Sequence, residues 1–397
     1  MNSQPDRSDT GPPAHDVASL SAETMTVQQL AEAKAYGRQS LTTSLADRGL
    51  DLTFFAVLAF VVARPLDAWL RGFAWLEQIT TLRLVVFFMI TFMLHVLVSM
   101  GLSFYSGYVI EHRFGMSNQS RLGWLKSYLQ RNALAATFEL VMFVGLFWLI
   151  WLVGPSWWLA AAAAFFLVTI LGGRLGPVLL LPLFYPSEKL EDSPLSERLR
   201  AIAEPAGLSI EGIYRLDMSA ESNEANAMLA GMGRTRRVLL GTRILEEFSE
   251  EEILVVFGHE IGHHVFRHIH KMIFLGGLYG VVGLWLCDRA MAILAARGGH
   301  TFTYDNFPVW MLPMLMLLLT LFSQVFEPLW NAISRRFERQ CDRYALEVTS
   351  NAAAYRSAFW KLARLNKDDP YPHPLDVLLF HSHPAIAERL AVAQPAE

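Results

Sequence analysis

Long apolar runs separated by shorter polar stretches form the main pattern of the chain. Residues 84–110 contain no Asp, Glu, Lys or Arg, and residues 132–187 contain only two formal charges. A helix needs about 20 apolar residues to cross a bilayer, so the first run predicts one membrane span and the second predicts two. The six predicted spans are 52–70, 84–110, two within 132–187, 272–294 and 306–326. A soluble protein with six buried core helices is the alternative, which the length of these runs disfavours.

Two polar regions interrupt the apolar runs, at about 185–257 and from 331 to the C-terminus. Two predicted spans separate these regions, so both are expected on the same side of the membrane as the loop 111–133. That loop carries most of the basic residues near the spans, namely Arg113, Arg121, Lys126 and Arg131. Because cytoplasmic loops carry an excess of Lys and Arg, the pattern predicts that this side is cytoplasmic.

These patterns divide the chain into five parts. Residues 1–25 have a polar composition typical of disorder, and residues 26–48 contain no Pro and predict a helix. The predicted parts are a polar N-terminal tail (1–50), N-terminal transmembrane helices (51–184), a polar insert (185–270), C-terminal transmembrane helices (271–331) and a C-terminal polar part (332–397).

The composition agrees with a mainly α, polytopic helical membrane protein. Of the 397 residues, 53% are hydrophobic and only 18% are charged, whereas soluble domains carry about 25% charged residues. The net charge of −4 and the lack of a basic cluster argue against a nucleic-acid partner. The two cysteines, Cys287 and Cys341, are too few for a disulfide framework and predict free thiols.

The segment from His259 to His263 reads His-Glu-Ile-Gly-His, the HExxH pattern of zinc-dependent peptide hydrolases. On a helix, positions i and i+4 share one face, so both imidazoles can bind one metal ion. Glu260 then lies where it can accept a proton from water. Ser249, followed three residues later by Glu252, predicts a capped helix start.

The motif helix has two further sequence features. Phe257, Ile261 and Val265 recur four residues apart and predict an apolar stripe that anchors the helix. Gly262 weakens a helix, so we expect a packing reason or a need to leave the metal accessible. A His pair on an ordinary helix, without a metal, is the alternative reading of the motif.

A catalytic zinc usually has three protein ligands, so one more is needed. The best candidate is Glu338, in a charged segment that follows the last predicted span without a helix breaker. Asp342 lies four residues later, on the same helical face, and could accept a hydrogen bond from a ligand imidazole. A solvated helix with Arg–Glu pairs is the alternative.

Other ionisable residues lead to separate expectations. We expect His264, His268 and His270 to continue the motif helix as solvated or interfacial side chains rather than as ligands. Three ionisable groups within the apolar runs, His95, Glu139 and Arg174, predict a water-filled chamber, because such groups are costly when they face lipid. For Glu327 we expect a position near the membrane interface.

Four blocks of residues, in order, resemble the type I CAAX prenyl protease family of integral-membrane zinc endopeptidases. The resemblance covers about residues 52–392 and is much more specific than HExxH alone. The blocks are Val109-Ile110-Glu111 with Phe114-Gly115 and Gln119; Pro182-Leu183-Phe184; Asn226-Ala227 through Gly231, upstream of Arg237-Val238-Leu239-Leu240 and the motif; and Glu338 with Asp342, followed by His383-Pro384 and Arg389. Two positions depart from the family pattern, Gly241 for Asp and Cys341 for Ala.

The resemblance implies a fold and a set of residue roles. The spans would enclose a chamber, with a small α+β zinc metalloprotease domain at one membrane face. The implied roles are: His259, His263 and Glu338 as ligands of one Zn²⁺; Glu260 as general base; Asn226 and Ala227 as the substrate-binding edge strand; His383 as a donor to the oxyanion; and Arg389 as a substrate contact or a support for the site. The implied partners are the lipid bilayer and a peptide or protein substrate, with its prenylation left open.

The sequence therefore predicts a zinc-dependent membrane endopeptidase that cleaves near the C-terminus of its substrate, as CAAX-type proteases do. Three alternatives remain open. One is a membrane quality-control metalloprotease of the heat-shock type, which shares the zinc motifs. The second is a zinc or peptide transporter, for which a base beside the metal would have no use. The third is a catalytically silent scaffold.

Overall fold

A computed structural model describes residues 25–175, 185–191, 193–217, 222–230, 236–299 and 302–393 of the protein. Helices account for most of these residues and a four-stranded sheet for a small part, which confirms the predicted fold class. The block Pro182-Leu183-Phe184 and Gly231 lie outside the described residues. So do residues 1–24, most of the segment expected to be disordered.

The membrane helices precede and follow the polar insert. The first group is α1 (Val27–Val57), α2 (Ala63–Arg71), α3 (Ala74–Gln78), α4 (Thr80–Phe104), α5 (Glu111–Arg113), α6 (Arg121–Val153) and α7 (Trp157–Leu175). Thr26 and Gln29 cap the start of α1, which confirms the helix predicted at 26–48. Single π-helical turns, Leu58–Val62 and Tyr105–Ile110, join α1 to α2 and α4 to α5.

Five helical runs in the described chain are long and apolar enough to cross a membrane. They are Val27–Arg71, Thr80–Arg113, Arg121–Gly173, His268–Arg297 and Val309–Thr349. The third run contains both α6 and α7, which contact each other across a turn at Gly154–Ser156, where Gly154 has a φ of 69°. The two spans predicted within 132–187 thus form one run with a turn between α6 and α7.

The insert and the C-terminal part form the polar half of the molecule. The strands are β1 (Ser187–Lys189), β2 (Ile210–Leu216), β3 (Ala227–Ala230) and β4 (Arg236–Gly241). The remaining helices are α8 (Pro194–Ala203), α9 (Thr242–Glu247), α10 (Glu250–Val265), α11 (His268–Arg297), α12 (Leu312–Thr349), α13 (Ala352–Leu365), α14 (Pro374–Leu379) and α15 (Ile386–Ala391). The helices α11 and α12 belong to both halves, because their apolar parts are the last two membrane runs.

The sheet has the order β1-β2-β4-β3, so β3 is an edge strand. Strand β4 runs parallel to β2, while β3 and β1 each pair antiparallel with their neighbours. The core beneath the sheet includes Val238 and Leu240 of β4 and Phe257 and Ile261 of α10. Two of the three residues of the predicted apolar stripe are therefore buried, while Val265 is exposed.

The chain does not pass smoothly from the motif helix into the next span. Helix α10 ends at Val265, and α11 begins at His268 after Arg267 adopts a left-handed conformation with a φ of 55°. The expectation that His268 and His270 continue the motif helix is therefore wrong. His268 is also buried rather than solvated, with 2% of its surface exposed. Tertiary contacts, described below, account for this break.

Charged groups within the membrane helices have partners. The Nε2 atom of His95 lies 2.8 Å from Asp51 Oδ1, and a guanidinium nitrogen of Arg48 lies 2.6 Å from Glu327 Oε2. Each pair joins two helices and reduces the penalty of placing an ionisable group among apolar neighbours. They do not test the water-filled chamber expected from His95, Glu139 and Arg174, which stays a prediction. The side chain of Arg174 is outside the described part of the chain.

Candidate active site

Close packing of α10 against α12 brings the HExxH motif to Glu338. A Cβ built on Gly262 would lie 3.0 Å from the Cα of Cys341, and one built on Gly258 would lie 3.4 Å from the Cα of Ala345. The approach at Gly262 is tighter than an ordinary contact, so a side chain there would require the backbone of α12 to shift, whereas the backbone distance at Gly258 is an ordinary contact. Of the two reasons expected for Gly262, the structure supports packing between helices.

The start of α10 is fixed by the predicted capping box. The Ser249 side chain accepts a hydrogen bond from the Glu252 amide, and the Glu252 carboxylate accepts one from the Ser249 amide at 2.7 Å. The same carboxylate is 2.5 Å from the Ser357 hydroxyl and 2.6 Å from Lys361 Nζ, both on α13. Although burial acts against it, these bonds lower the pKa of Glu252. They also attach the motif helix to α13.

Both motif histidines face one carboxylate. The Nε2 atom of His259 is 3.1 Å from Glu338 Oε2, and that of His263 is 3.3 Å from Glu338 Oε1. Glu338 is buried, and its Oε2 has no hydrogen-bond partner among the described residues. Because burying a carboxylate oxygen that makes no hydrogen bond is costly, a cation held between this oxygen and the two imidazoles would stabilise it. Two imidazoles and one carboxylate are a ligand set that catalytic zinc accepts, so these residues fit the ion.

Cys341 also lies close to both histidines, with its Sγ and one nitrogen of each ring within 4.8 Å of one another. A Cys–His–His ligand set would therefore be an alternative on distance alone. However, the thiol packs against Gly262 and lies 3.6 Å from His268 Nδ1, whereas the Glu338 carboxylate faces both Nε2 atoms. We therefore favour Glu338 as the third ligand.

A buried charge network holds His259. Its Nδ1 atom is 2.9 Å from Asp342 Oδ1, and Arg389 donates two hydrogen bonds to the Asp342 carboxylate, at 2.6 and 3.0 Å. Burial alone would lower the pKa of His259, but the contacts with Asp342 and Glu338 outweigh it and raise the pKa to about 9. Arg389 packs over the Phe359 ring at 4.0 Å. The network leaves Nε2 of His259 directed at Glu338.

Glu260 borders two cavities. One, of about 490 Å³, is also lined by Asn226, Ala227 and His383. The other, of about 510 Å³, lies towards the membrane helices and is lined by Leu229, His264 and residues of α11 and α12. Burial raises the pKa of Glu260, and a hydrogen bond with the Leu229 backbone opposes this shift. A carboxylate with a raised pKa beside a cavity is suited to accept and return a proton.

The edge strand is supported from both sides. On one side, the Asn366 side chain bonds to both the amide and the carbonyl of Ala225, at 2.8 and 3.2 Å. On the other, Ser117 forms a β-bridge with Ser222, and the Asn223 amide donates to Met116 at 2.9 Å. The membrane loop of the first sequence block thus joins the segment leading into β3.

His383 faces the first cavity, where 61% of its side chain is exposed. Its Nε2 atom is 3.4 Å from Glu338 Oε2. The surrounding protein partly desolvates the ring and lowers the pKa of His383. The loop before it is held by Arg335, which donates to the carbonyls of Val377 and His381 at 2.8 and 2.6 Å.

All nine site residues predicted from the sequence are described and lie together. Five form one contact network, His259, His263, Glu338, Asp342 and Arg389, and four line the adjoining cavity, Glu260, His383, Asn226 and Ala227. Sequence reasoning missed Asn366 and Arg335, which hold the segments around this cavity. The only local signal for Asn366 is its place at the C-terminal cap of α13.

The predicted position of His264 fits less well. Its ring lines the second cavity, and burial lowers the pKa of His264 to about 4. The side chain is only partly exposed, so it is not a freely solvated histidine.

Two family profiles match the chain in sequence. Residues 189–397 match peptidase family M48, and residues 13–186 match the profile described as CAAX prenyl protease N-terminal, five membrane helices. Together these matches account for both halves of the molecule.

Curated proteins with similar sequences include bacterial and eukaryotic proteases. The chain is 27% identical over 350 residues to the uncharacterized metalloprotease YhfN of Bacillus subtilis, which covers 87% of this chain and 80% of that protein. It is 26% identical over 328 residues to CAAX prenyl protease 1 of Saccharomyces cerevisiae, which covers 75% of this chain and 69% of that protein.

Among solved structures, the crystal structure of S. mikatae Ste24p has a similar fold. The TM-score is 0.67 at 21% sequence identity, and the alignment covers 93% of this chain and 99% of that one. The likeness therefore extends over the membrane helices as well as the sheet and the motif helix.

Proposed function

The chain belongs to peptidase family M48 and is an integral-membrane metalloendopeptidase, and from this premise we propose that it cleaves peptides at one zinc ion held by His259, His263 and Glu338. The observation that carries this proposal is the meeting of both His Nε2 atoms at one buried carboxylate, whose Oε2 makes no hydrogen bond with the described residues. When bound there, zinc would lower the pKa of a water molecule to around neutral and polarise the scissile carbonyl.

Glu260 acts as the general base and then as the general acid. Its carboxylate adjoins the ligand histidines in sequence and borders both cavities. It accepts a proton from the attacking water and returns that proton to the leaving amine. Burial raises the pKa of Glu260, which makes its carboxylate a stronger proton acceptor.

The substrate lies as an extended strand against β3. An edge strand offers unpaired backbone groups, and a peptide added there is held mainly by main-chain hydrogen bonds. The residues Asn226 and Ala227 line the same cavity as Glu260, so a strand paired there would pass the proton acceptor. His383 lines this cavity too, where its imidazole can donate a hydrogen bond to the developing oxyanion. Arg389 supports the site through its hydrogen bonds to Asp342.

We assign substrates of the CAAX type, peptides or proteins cleaved near a C-terminus, prenylation included. Support comes from the match of residues 13–186 to the CAAX prenyl protease N-terminal profile and from the relatives that carry that name. The basic loop that contains Arg121 favours a cytoplasmic catalytic side.

The test uses purified protein in lipid vesicles with Glu260→Gln and, as a matched control, Glu251→Gln at an exposed position of the same helix. Glu260→Gln should retain zinc, measured as metal per chain, and lose about 100- to 10,000-fold in the rate of peptide hydrolysis. Glu251→Gln should behave like the unchanged protein. Normal turnover in zinc-loaded Glu260→Gln would refute the assignment of the base.

Three substrates separate the candidate functions in the same preparation. They are a peptide with a C-terminal prenylated cysteine, the same peptide without the prenyl group, and an unfolded soluble protein. Preferred cleavage of the prenylated peptide supports the CAAX assignment, and preferred cleavage of the unfolded protein supports quality control instead. Zinc flux into the vesicles without any cleavage would support a transporter.

A further inference from the structure

The two proposed histidine ligands have different partners on the side away from the metal. The Nδ1 atom of His259 faces Asp342, whereas the Nδ1 atom of His263 lies 3.3 Å from Nδ1 of a third histidine, His268. This third ring is buried, and the mechanism proposed above gives it no role. Its packing and hydrogen bonds are specific enough to suggest one.

Three contacts fix the ring of His268. It stacks on Phe337 with 4.2 Å between ring centroids and an interplanar angle of 9°, and its Nε2 atom is 2.9 Å from Gln340 Oε1. The sulfur of Cys341 lies 3.6 Å from its Nδ1. All three neighbours belong to α12, the helix that carries Glu338. Glu338 and the residues that contact the His268 ring therefore belong to the same helix.

The partner of His268 Nε2 determines which ring donates in the hydrogen bond between His268 and His263. The carbonyl oxygen Oε1 of Gln340 can only accept, so His268 must donate from Nε2. A neutral imidazole then has its acceptor at Nδ1. His263 consequently donates from its own Nδ1, which leaves Nε2, the atom that faces Glu338, free of a proton. That is the form of histidine that binds a metal.

The backbone supports this arrangement. Arg267 takes up a left-handed conformation, which non-glycine residues adopt at a cost, between the end of the motif helix at Val265 and the start of α11 at His268. Had α10 continued, positions 263 and 268 would have been five residues apart on one helix and would not have shared a face. The turn at Arg267 instead returns the ring of His268 to that of His263, at 5.3 Å between centroids.

We propose that His268, oriented by Gln340, is a positioning residue that holds His263 with Nε2 directed at the metal. The proposal rests on the assignment of His263 as a zinc ligand. Groups that orient metal-binding histidines typically contribute about 10- to 100-fold to metal affinity. His263 is the more exposed of the two ligand rings and lacks the carboxylate that holds His259, so it depends more on such a partner.

Two substitutions at position 268 separate positioning from simple packing. His268→Asn keeps an acceptor close to the place of Nδ1 but loses the ring that stacks on Phe337. His268→Phe keeps a stacked ring but loses the acceptor. Positioning therefore predicts that Asn is the milder change for zinc binding, and packing predicts that Phe is milder. The matched control is His270→Phe, a histidine substitution at an exposed position of the same helix.

The experiment measures the affinity of each full-length variant in detergent for Zn²⁺, by competition with a chelator and determination of bound metal. We expect His268→Phe to bind zinc about 10- to 100-fold more weakly, and His268→Asn and His270→Phe to remain within a few-fold of the unchanged protein. Gln340→Met should weaken zinc binding in the same direction as His268→Phe, because it removes the acceptor that orients the ring. Thermal unfolding of the metal-free variants shows which of them fold.

The outcomes are distinguishable. Unchanged affinity in His268→Phe, or a weaker affinity in His268→Asn than in His268→Phe, overturns the proposal. A Gln340→Met variant with full affinity also contradicts it, because the direction of the hydrogen bonds would then not depend on Gln340. The variant His263→Ala tests the premise separately: if it retains tight zinc binding, the ligand assignment under the proposed function is wrong.

Discussion

The membrane region and the catalytic region of this protein both bury apolar and charged side chains, but the catalytic region gathers several buried charges into one network around a site. In the membrane region one large cluster of buried apolar side chains joins the helices, with Phe87, Phe147 and Leu315 fully buried. In the catalytic region the same degree of burial applies to charged groups, including Asp342 and Glu338. Helix α12 contributes to both, apolar in its first half and charged in its second.

This difference determines how each region should respond to substitution. Apolar contacts are non-directional, and cores accept changes that conserve volume at a cost of less than about 1.5 kcal/mol. A buried charge depends on its partner, and removing the partner leaves it uncompensated. We therefore expect single changes to affect the catalytic region more severely and more locally than the membrane region.

Two buried thiols allow the regions to be followed separately. The only cysteines in the sequence are Cys287, in the apolar membrane cluster, and Cys341, beside the metal site. With one of them replaced by alanine, a thiol-reactive fluorophore reports thermal exposure of the other. Each variant below is measured in both backgrounds, in detergent, so that unfolding of one region is distinguished from unfolding of the whole.

The largest effect is expected for Arg389→Leu. The guanidinium bonds to Asp342, which is fully buried, so its loss leaves a carboxylate without its cation. We expect the free energy of unfolding to fall by about 3–5 kcal/mol. The temperature of the unfolding transition reported by Cys341 should fall well below that of the transition reported by Cys287. Equal shifts at both thiols would show that the two regions unfold as one unit.

The matched control is Arg64→Leu in the membrane region. Its guanidinium lies over the Trp310 ring at 4.4 Å, a contact worth about 0.5–1 kcal/mol at an exposed site. We expect a small shift in the temperature of the unfolding transition reported by Cys287. If Arg64→Leu proved as damaging as Arg389→Leu, burial of the charge would not be the deciding factor.

A smaller effect is expected for Gly262→Ala. The added methyl group would lie 3.0 Å from the backbone of Cys341, so α10 and α12 must separate, at a cost of about 1–3 kcal/mol. Because this separation moves His263 away from Glu338, zinc affinity should fall together with stability. Gly145→Ala, in α6 of the membrane region, meets nothing within 4 Å and should be neutral or stabilising by up to about 1 kcal/mol.

A third prediction concerns pH. Burial raises the pKa of Asp368, which lines the first cavity, to about 7, with His381 and Arg389 opposing and Glu224 reinforcing the shift. Between the ordinary value near 3.9 and about 7, the folded state binds a proton that the unfolded state releases, so stability falls as pH rises through this window. Asp368→Asn removes that loss.

The midpoint of thermal unfolding should therefore differ little between Asp368→Asn and the unchanged protein at pH 4 or below. As the pH is raised to 8, the midpoint of the variant should rise relative to that of the unchanged protein. This difference should level off above pH 8. The unfolding transition reported by Cys341 should show this gain more strongly than the transition reported by Cys287. A gain that is the same at pH 5 and pH 8 would contradict a raised pKa.

Local patterns in the sequence predicted the elements of the site well. The capping pair Ser249 and Glu252 gave the correct start of the motif helix, because capping depends only on residues three apart. The run after the last span gave one long helix carrying both Glu338 and Asp342. Helical periodicity alone therefore placed these two side chains on the face that meets the motif.

The features that the sequence did not predict depend on tertiary contacts. Nothing in the residues Phe266 and Arg267 signals a helix break, and the break arises because His268 packs on Phe337, about 70 positions away. The support that Asn366 gives to Ala225 spans 141 positions, about twice that separation. For Gly262 the sequence left helix packing and metal access both open, and the structure supports a contact between two helices. Spacing along one segment contains no information about such partners.

The smallest effect is expected for Arg198→Ala, in the catalytic region but at its surface. Its guanidinium contacts Glu250 and Glu251 at 3.1 and 2.5 Å, in the first turn of α10, and about 41% of the side chain is exposed. Exposed ion pairs contribute little, because water screens them and both side chains lose freedom. We therefore expect no measurable shift at either thiol, in contrast to Arg389→Leu, which removes an arginine from the same region. A clear loss in Arg198→Ala would mean that charge content distinguishes the catalytic region from the membrane region, rather than the burial of charge.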